Sequence, residues 1–216
     1  MATREEAKQI RREQILAAAR DMIRETSRTK FSMRALAERA GVSLVTPYNL
    51  FGSKQAIMYQ LLDEDISRFG RQLVRSKKDP LDMLFRAVTL GRKYFDDEAD
   101  YYRAVLFSVY SDGGTEYRSM FQGPRMALWR SLVEKAVKDG YLAKEVDANA
   151  FANNLASIYF ANILEWVAGG ISLRAMEIRT HYGFALALHS MAKPAHRARM
   201  REQVMSSQSR LTRLRG

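Results

Sequence analysis

Helical periodicity runs through most of the 216-residue chain, whereas the alternation of apolar and polar residues that marks a strand is nearly absent. Within residues 10–23, for example, apolar side chains recur every three or four positions with arginines between them. Glycine, proline and capping residues divide the chain into stretches of helical length. These features predict an all-α protein of about nine helices, without an internal repeat.

The predicted helices form two groups. The first four are closely spaced, and the fourth is expected to begin at Gly52 or Ser53 and to end near Phe69. The later helices are longer, and breaks such as Asp79-Pro80 and Gly169-Gly170 separate them. We therefore predict a helical head at residues 1–70, a larger helical domain at 71–192 and a tail at 193–216.

Basic side chains are in excess, and the excess lies at the two ends of the chain. The sequence has 35 Lys and Arg against 24 Asp and Glu, a formal net charge of +11. A balance this basic favours a polyanion or an anionic membrane surface as partner. The tail also has few apolar residues, so we expect it to be disordered, either solvated or adding nonspecific affinity for phosphates. The alternative is a basic helix through Met200, Val204 and Leu211.

The sequence lacks the residues that several functional classes require. The sequence has no Cys, and its three histidines, His181, His189 and His196, do not share a regular ligand spacing, so we predict no metal site. It has no nucleophile elbow, phosphate loop or dinucleotide-binding turn, so we predict neither an enzyme nor a cofactor. No signal peptide or membrane-spanning run is recognisable, which predicts a cytoplasmic protein without a membrane partner.

One stretch near the N-terminus has the pattern of a nucleic-acid-binding element. Ser32 is a plausible N-cap for a short helix that Gly41 ends, and Ser43 is the expected cap of the next helix. Two helices joined by such a turn form a helix-turn-helix, whose second helix enters the major groove of DNA. Ala37 is small where the two helices would cross. Packing without DNA binding is the competing interpretation.

Residues 31–57, FSMRALAERAGVSLVTPYNLFGSKQAI, resemble the DNA-binding region of TetR-type transcriptional repressors. The preceding run QILAAARDMI is similar to the first helix of that family. Motif-level resemblance covers about residues 10–60, while the rest of the chain matches in length, helix count and aromatic content. The positions that carry the motif are Leu36, Ala37, Ala40, Gly41, Val42, Ser43, Pro47, Tyr48, Phe51 and Lys54.

The resemblance implies roles for eight residues in DNA binding. Tyr48 and Lys54 would hold backbone phosphates, and Ser32 would bring its helix to another phosphate. Thr46 and Asn49 would bond to base edges, while Leu44 or Val45 would meet a thymine methyl group. The alternatives are that Tyr48 and Phe51 are ordinary core aromatics and that Lys54 is a solvated charge. The complete set is Ser32, Ser43, Leu44, Val45, Thr46, Tyr48, Asn49 and Lys54.

Two positions depart from the family pattern. Pro47 stands where the family usually has Leu, and proline lacks an amide hydrogen and disfavours helical geometry at the preceding residue. If Leu44 rather than Ser43 is the cap, Pro47 falls in the first helical turn and breaks no hydrogen bond. We therefore expect a recognition helix that is short or begins late. The glycine often found before the second helix is also missing from SRTKFS, so the preceding turn is expected to differ.

The larger domain is rich in aromatic side chains, which suits either a ligand cavity or an ordinary helical core. The family resemblance favours a cavity for an apolar or aromatic small-molecule effector that weakens operator binding. An architectural DNA-binding protein without a ligand and an all-helical enzyme are the alternatives. The candidate effector residues are Phe85, Tyr102, Phe107, Tyr110, Trp129, Tyr159, Asn162 and Trp166.

A two-fold homodimer on a palindromic operator is expected, because one helix-turn-helix reads few base pairs. Residues 148–167 and 172–192 are the predicted interface, because their apolar stripes are broad and contain small residues. Burial of those stripes inside one subunit is the competing account. The small residues are Ala152, Ala156, Ala161, Ala185 and Ala187.

Overall fold

The computed structural model describes residues 3–74, 79–111 and 124–214. Within these ranges the secondary structure is helical, apart from one isolated bridge between Leu142 and Ala192, which confirms the predicted all-α class. None of the helices described is both long and apolar enough to cross a bilayer. The ten helices are α1 (Arg4–Thr26), α2 (Met33–Arg39), α3 (Val45–Phe51), α4 (Lys54–Val74), α5 (Pro80–Asp97), α6 (Ala99–Ser111), α7 (Pro124–Lys138), α8 (Ala148–Val167), α9 (Leu173–Met191) and α10 (Pro194–Thr212).

The chain divides into two compact units that do not follow the predicted boundaries. The head unit is the described part of Met1–Asp65 and Glu98–Tyr117, so it holds α1–α3, the first part of α4 and also α6. The body unit is the described part of Ile66–Asp97 and Arg118–Gly216. The prediction assigned α6 to the larger domain, because chain order alone does not reveal that α6 packs on α1.

The head unit is built on α1, whose two ends have well-defined caps. At its start Thr3 and Glu6 form a capping box, in which the Glu6 amide donates to Thr3 Oγ1 at 3.2 Å. At its end Ser27 adopts a left-handed conformation with φ 52°, and its amide donates to the Ile23 carbonyl at 2.7 Å. Ser27 thus supplies the geometry that a glycine usually provides at such a helix end. The apolar side of α1 is completely buried at Ile15 and Ile23.

Charged side chains connect α1 to α4 and to the start of α6 within the head unit. Arg20 of α1 lies 3.1 Å from Asp65 Oδ1 and 3.3 Å from Glu64 Oε2, both on α4. Burial, together with the Asp65 charge, raises the pKa of Tyr101 on α6 to about 12. Arg24 forms a two-pronged ion pair with Glu98 at 2.6 and 2.8 Å. These contacts explain why residues from 98 onward join the head.

The body unit brings helices close together at two glycines. A Cβ atom at Gly91 of α5 would overlap the hydroxyl oxygen of Tyr159 on α8. A Cβ atom at Gly183 of α9 would lie 2.7 Å from Cγ2 of Ile158 on α8. Larger residues at these positions would therefore push α8 away from its neighbours.

The expectation of a disordered tail is wrong, because residues 194–212 form α10. Pro194 occupies the first helical turn, where its missing amide hydrogen costs nothing. Met200 is completely buried and Ser207 nearly so, and α10 packs along α9. One well-buried methionine and the ion pairs of Arg199 thus hold a segment whose composition alone suggests disorder. The basic helix through Met200 was the correct alternative.

Candidate nucleic-acid interface

The turn between α2 and α3 has the predicted geometry. Gly41 adopts φ 65°, which favours glycine, and the Val42 amide donates to the Ala37 carbonyl at 3.0 Å. Leu36 is completely buried and Ala37 nearly so. The small side chain at 37 and the glycine at 41 therefore allow α2 and α3 to meet as a helix-turn-helix.

The first turn of α3 is set by Pro47. The helix begins at Val45 with Leu44 in the cap position, so Ser43 is not its cap, in contrast to the first prediction. Because Pro47 has no amide hydrogen to donate four residues back, the Ser43 carbonyl accepts from the Thr46 amide instead, at 2.9 Å. Pro47 is then the third helical residue and its ring is buried. The expected short, late-starting recognition helix is confirmed.

The outward side of α3 exposes apolar and polar side chains together. Val45 is 59% exposed and Tyr48 is 50% exposed, while Leu44 and Asn49 are also exposed. Of these, Val45 and Asn49 lie on the side of the helix opposite Pro47. Exposed apolar groups gathered on one short helix indicate a contact surface for a partner rather than core packing. Tyr48 is therefore not a core aromatic.

The hydroxyl groups of Thr46 and Ser43 are hydrogen-bonded to each other. Their hydroxyl oxygens are 2.7 Å apart, and Thr46 is only half-exposed. Among the predicted base-reading residues, Val45 and Asn49 are consequently presented more openly than Thr46. Ser32, which is exposed, caps α2 by accepting from the Ala35 amide at 3.1 Å.

Lys54 lies at the start of α4 and contacts the loop between α1 and α2. Its ammonium group donates to the carbonyl oxygens of Thr29 at 3.1 Å and Phe31 at 3.3 Å, and it lies 5.6 Å from the centre of the Phe31 ring. Two of its three hydrogens are thereby engaged. The structure thus gives Lys54 a role in holding this loop, which the sequence did not suggest.

The sequence did not single out two basic residues of this loop, Arg28 and Lys30. A concavity of roughly 440 Å³ opens here. Arg28 and Lys30 are both exposed, and they line it together with Arg39, which pairs with Glu25. The run RTK between the first two helices was the available signal. Because this run lies next to Ser32, it adds positive charge to the part of the head unit that contains Ser32.

The predicted effector residues fall into both units. Three of them lie on α6 in the head unit: Tyr102 is buried, Tyr110 is half-buried and Phe107 is 63% exposed. The other five lie in the body unit. Trp129 of α7 is 5.7 Å from the ring centre of Tyr159 and 5.4 Å from that of Phe184.

The remaining predicted effector residues have other neighbours in the body unit. The ring of Phe85 packs edge-on against His181 at 5.4 Å, and Trp166 stacks on Phe95 at 5.2 Å. Asn162 donates to the carbonyl of Ile158 in its own helix at 2.8 Å. The structure therefore brings Trp129 and Tyr159 together and places Phe85 and Trp166 in separate ring contacts.

A polar cluster between α5 and α9 was not predicted. Thr89 donates to Glu177 at 2.7 Å, and Arg92 lies 3.1 Å from the other oxygen of Glu177. His181 Nε2 lies 3.2 Å from the Phe85 carbonyl oxygen. Burial lowers the pKa of His181, although Glu177 and the Phe85 carbonyl oppose the shift. The sequence signal for this cluster was that positions 85 and 89 of one helix, and positions 177 and 181 of another, are four residues apart.

The small residues of the predicted dimer interface separate into two sets. Ala152, Ala156 and Ala185 are completely buried within the subunit, so for them the competing account is correct. Ala161 is exposed and Ala187 is half-exposed, next to the exposed Leu186. Close approach of a second subunit can therefore involve the last two alanines but not the first three.

Residues 15–61 match the model of the family described as bacterial regulatory proteins, tetR family. The matched segment contains the second half of α1, the helix-turn-helix and the start of α4. No curated protein sequence matches the chain significantly.

Solved structures share the fold over most of the chain. A Thermus thermophilus FadR, a TetR-family transcriptional repressor in complex with lauroyl-CoA, is 20% identical with a TM-score of 0.72, over 84% of this chain and 95% of that one. A TetR transcriptional regulator from Rhodococcus sp. RHA1 is 20% identical with a TM-score of 0.70, over 85% and 98%. RolR in complex with the ligand resorcinol is 13% identical with a TM-score of 0.69, over 93% and 96%. Residues 15–61 of this chain thus match the model of the tetR family, and most of the chain has the fold of the solved TetR-type transcriptional regulators.

Proposed function

We propose that the protein is a transcriptional repressor that binds a palindromic operator as a homodimer and is released by an apolar or aromatic small molecule. The exposed side of α3, with Leu44, Val45, Tyr48 and Asn49, is the observation that carries the proposal. The protein would act in the cytoplasm by binding alone, without a catalysed reaction or a cofactor.

Base reading is assigned to two exposed positions of α3, Val45 and Asn49. Asn49 can form a pair of hydrogen bonds with adenine, and Val45 can contact a thymine methyl group, as can Leu44. Tyr48, half-exposed on the same side, is assigned to a backbone phosphate. Thr46 is a weaker candidate, since its hydroxyl group is shared with Ser43. Ser32, Ser43 and Lys54 stay on the list of DNA contacts as proposals from the family resemblance.

Dimerisation is assigned to the exposed side of α8 and α9. Ser157 and Ala161 of α8 are exposed, as is Leu186 of α9, and small side chains allow two helices to approach closely. Two-fold symmetry would place the recognition helices about 34 to 36 Å apart, or a multiple of that distance. The expected operator is therefore an inverted repeat.

Effector binding is assigned to the aromatic part of the body unit. Trp129, Tyr159 and Phe184 form one ring cluster, and FadR and RolR, which share the fold, hold lauroyl-CoA and resorcinol respectively. A ligand that binds better to the conformation with wrongly spaced heads weakens operator binding by its difference in affinity. Acyl-CoA esters and small phenols are the first ligand classes to test.

Selection of bound duplexes from a random DNA pool tests the proposal. We expect an inverted-repeat consensus for the wild type, which would establish both base reading and dimer symmetry. Val45→Asp, which places a negative charge on the outward side of α3, should abolish the selection. Ala127→Asp is the matched control, because it adds the same charge at an exposed position of the body unit. A wild type that returns no consensus contradicts the proposal.

The effector part of the proposal needs a separate measurement. Acyl-CoA esters of different chain length and simple phenols are added to the complex with the selected operator, and release is followed by fluorescence anisotropy. We expect release by at least one member of one class. Binding of the operator that no member alters would favour an architectural DNA-binding protein without an effector.

A further inference from the structure

The C-terminal end of α3 is held by Arg12, a side chain of α1 that the helix-turn-helix motif does not include. Arg12 donates from Nη1 to the carbonyl oxygen of Leu50 at 2.7 Å. The guanidinium carbon lies 4.4 Å from the centre of the Phe51 ring. Leu50 and Phe51 are the last two residues of α3. Both contacts therefore attach the end of the recognition helix to α1.

The helix α3 is short: it has seven residues, of which Pro47 is buried. A helix this short is not stable by itself in water, and its last carbonyl groups have no partner in the helix. The Leu50 carbonyl obtains its donor from Arg12, whose positive charge also suits the negative end of the helix. Arg12 thus satisfies the C-terminal end of α3 and attaches it to α1.

We propose that Arg12 is a positioning residue for base reading, which sets the direction of α3 so that Val45, Tyr48 and Asn49 reach their partners on DNA together. The inference rests on the proposed function. Hydrogen bonds to base edges tolerate little displacement, whereas attraction to phosphates depends on charge and tolerates more. Loss of Arg12 therefore reduces the preference for the operator more than it reduces affinity for DNA in general.

A direct phosphate contact by Arg12 makes a different prediction. Removing a cation that neutralises a phosphate weakens binding to every duplex and reduces the salt slope of log affinity by about one. In the structure the guanidinium instead contacts Leu50 and Phe51. Measurements at several salt concentrations therefore distinguish positioning from phosphate binding.

The test uses the full chain, its selected operator and a scrambled duplex of the same composition. R12M is compared with R11M, because Arg11 is the exposed neighbour on α1 and the same charge is lost. We expect R12M to lower operator affinity at least tenfold, while its affinity for the scrambled duplex and its salt slope match those of R11M. R12K keeps the charge and one donor, so its operator-to-scrambled ratio should lie between those of the wild type and R12M.

Several outcomes overturn the inference. In the first, R12M prefers the operator over the scrambled duplex as strongly as R11M does. In the second, R12M binds both duplexes more weakly by the same factor, and its salt slope is lower by about one. If R12M does not fold, R12K is compared with R11K, and an unchanged ratio overturns the inference. A wild type that prefers no duplex contradicts the proposed function and removes this inference with it, which distinguishes that failure from failure of the variants alone.

Discussion

Arg199 of α10 and Asp79 at the start of α5 form a two-pronged ion pair across 120 residues of sequence, with Nη1 2.9 Å from Oδ2 and Nη2 3.0 Å from Oδ1. The same carboxylate caps α5 by accepting from the amides of Leu81 and Asp82, each at 3.0 Å. One aspartate thus fixes the start of one helix and holds another helix against it.

Arg199→Met should loosen α10 and lower the free energy of unfolding by about 1 kcal/mol, a modest value because the side chain is about one-third exposed. Limited proteolysis should then cleave within residues 194–212 faster than in the wild type. Arg201→Met, which removes an exposed arginine of the same helix, is the control and should behave as wild type. Equal cleavage of both variants would show that this ion pair does not hold α10 in place.

Met200 provides the apolar part of the same attachment. Met200→Ala should lower the free energy of unfolding by about 2 to 4 kcal/mol, because it removes a completely buried side chain and leaves a cavity. Met205→Ala is the matched control, since Met205 is 54% exposed and its truncation should cost less than about 0.5 kcal/mol. Chemical denaturation measures both values. Similar small losses in the two variants would mean that α10 is not packed in solution.

The accuracy of the sequence predictions depended on how local the deciding interactions are. The Gly41 turn and the short recognition helix were predicted correctly, because glycine and proline act on their own backbone. The cap was predicted at Ser43, one residue too early. Pro47 has no amide hydrogen to donate to the Ser43 carbonyl, which accepts from the Thr46 amide instead.

Long-range pairings explain the errors over larger distances. The helix at residues 194–212 depends on Asp79, and the place of α6 in the head unit depends on the pairs Arg24 with Glu98 and Tyr101 with Asp65. None of these pairs has a local sequence signal. The same reason divides the predicted effector residues between two units, since membership of a unit is decided by tertiary contacts.

Gly91 is required where α5 meets α8. Gly91→Ala should destabilise the body unit by about 1 to 3 kcal/mol, because the new methyl group would overlap the hydroxyl group of Tyr159. Tyr159→Phe removes that hydroxyl, so the double variant should be more stable than the sum of the single changes predicts. Thermal and chemical unfolding of the four proteins measure the coupling. Strictly additive losses would show that the overlap is relieved in another way.

Stability should depend on pH through His181. Burial, the largest effect, lowers the pKa of His181 in the folded protein, while an unfolded chain has the ordinary value of about 6.5. Between the two pKa values the unfolded state binds more protons, so stability decreases as pH falls below about 6.5 and is unaffected by this group above it.

His181→Gln should therefore flatten the loss of stability between pH 7 and pH 5, whatever it does to stability at pH 7. His189→Gln, on the same helix and half-exposed, is the control and should keep the wild-type dependence. Urea denaturation at several pH values measures the difference. An identical pH dependence in His181→Gln and the wild type would exclude His181 as the responsible group.

Lys54 should combine two roles that salt dependence can separate. Lys54→Met removes the donor to the carbonyls of Thr29 and Phe31, so the head unit should lose about 1 to 3 kcal/mol of stability. If the third ammonium hydrogen contacts a phosphate, as the family resemblance implies, the salt slope of operator binding should also fall by about one. Lys138→Met, an exposed change on α7, controls for the loss of net charge. Suppose instead that Lys54→Met is destabilised but has the salt slope of Lys138→Met. Lys54 would then only support the loop, because a side chain that neutralises no phosphate adds nothing to the counterions released when the protein binds DNA.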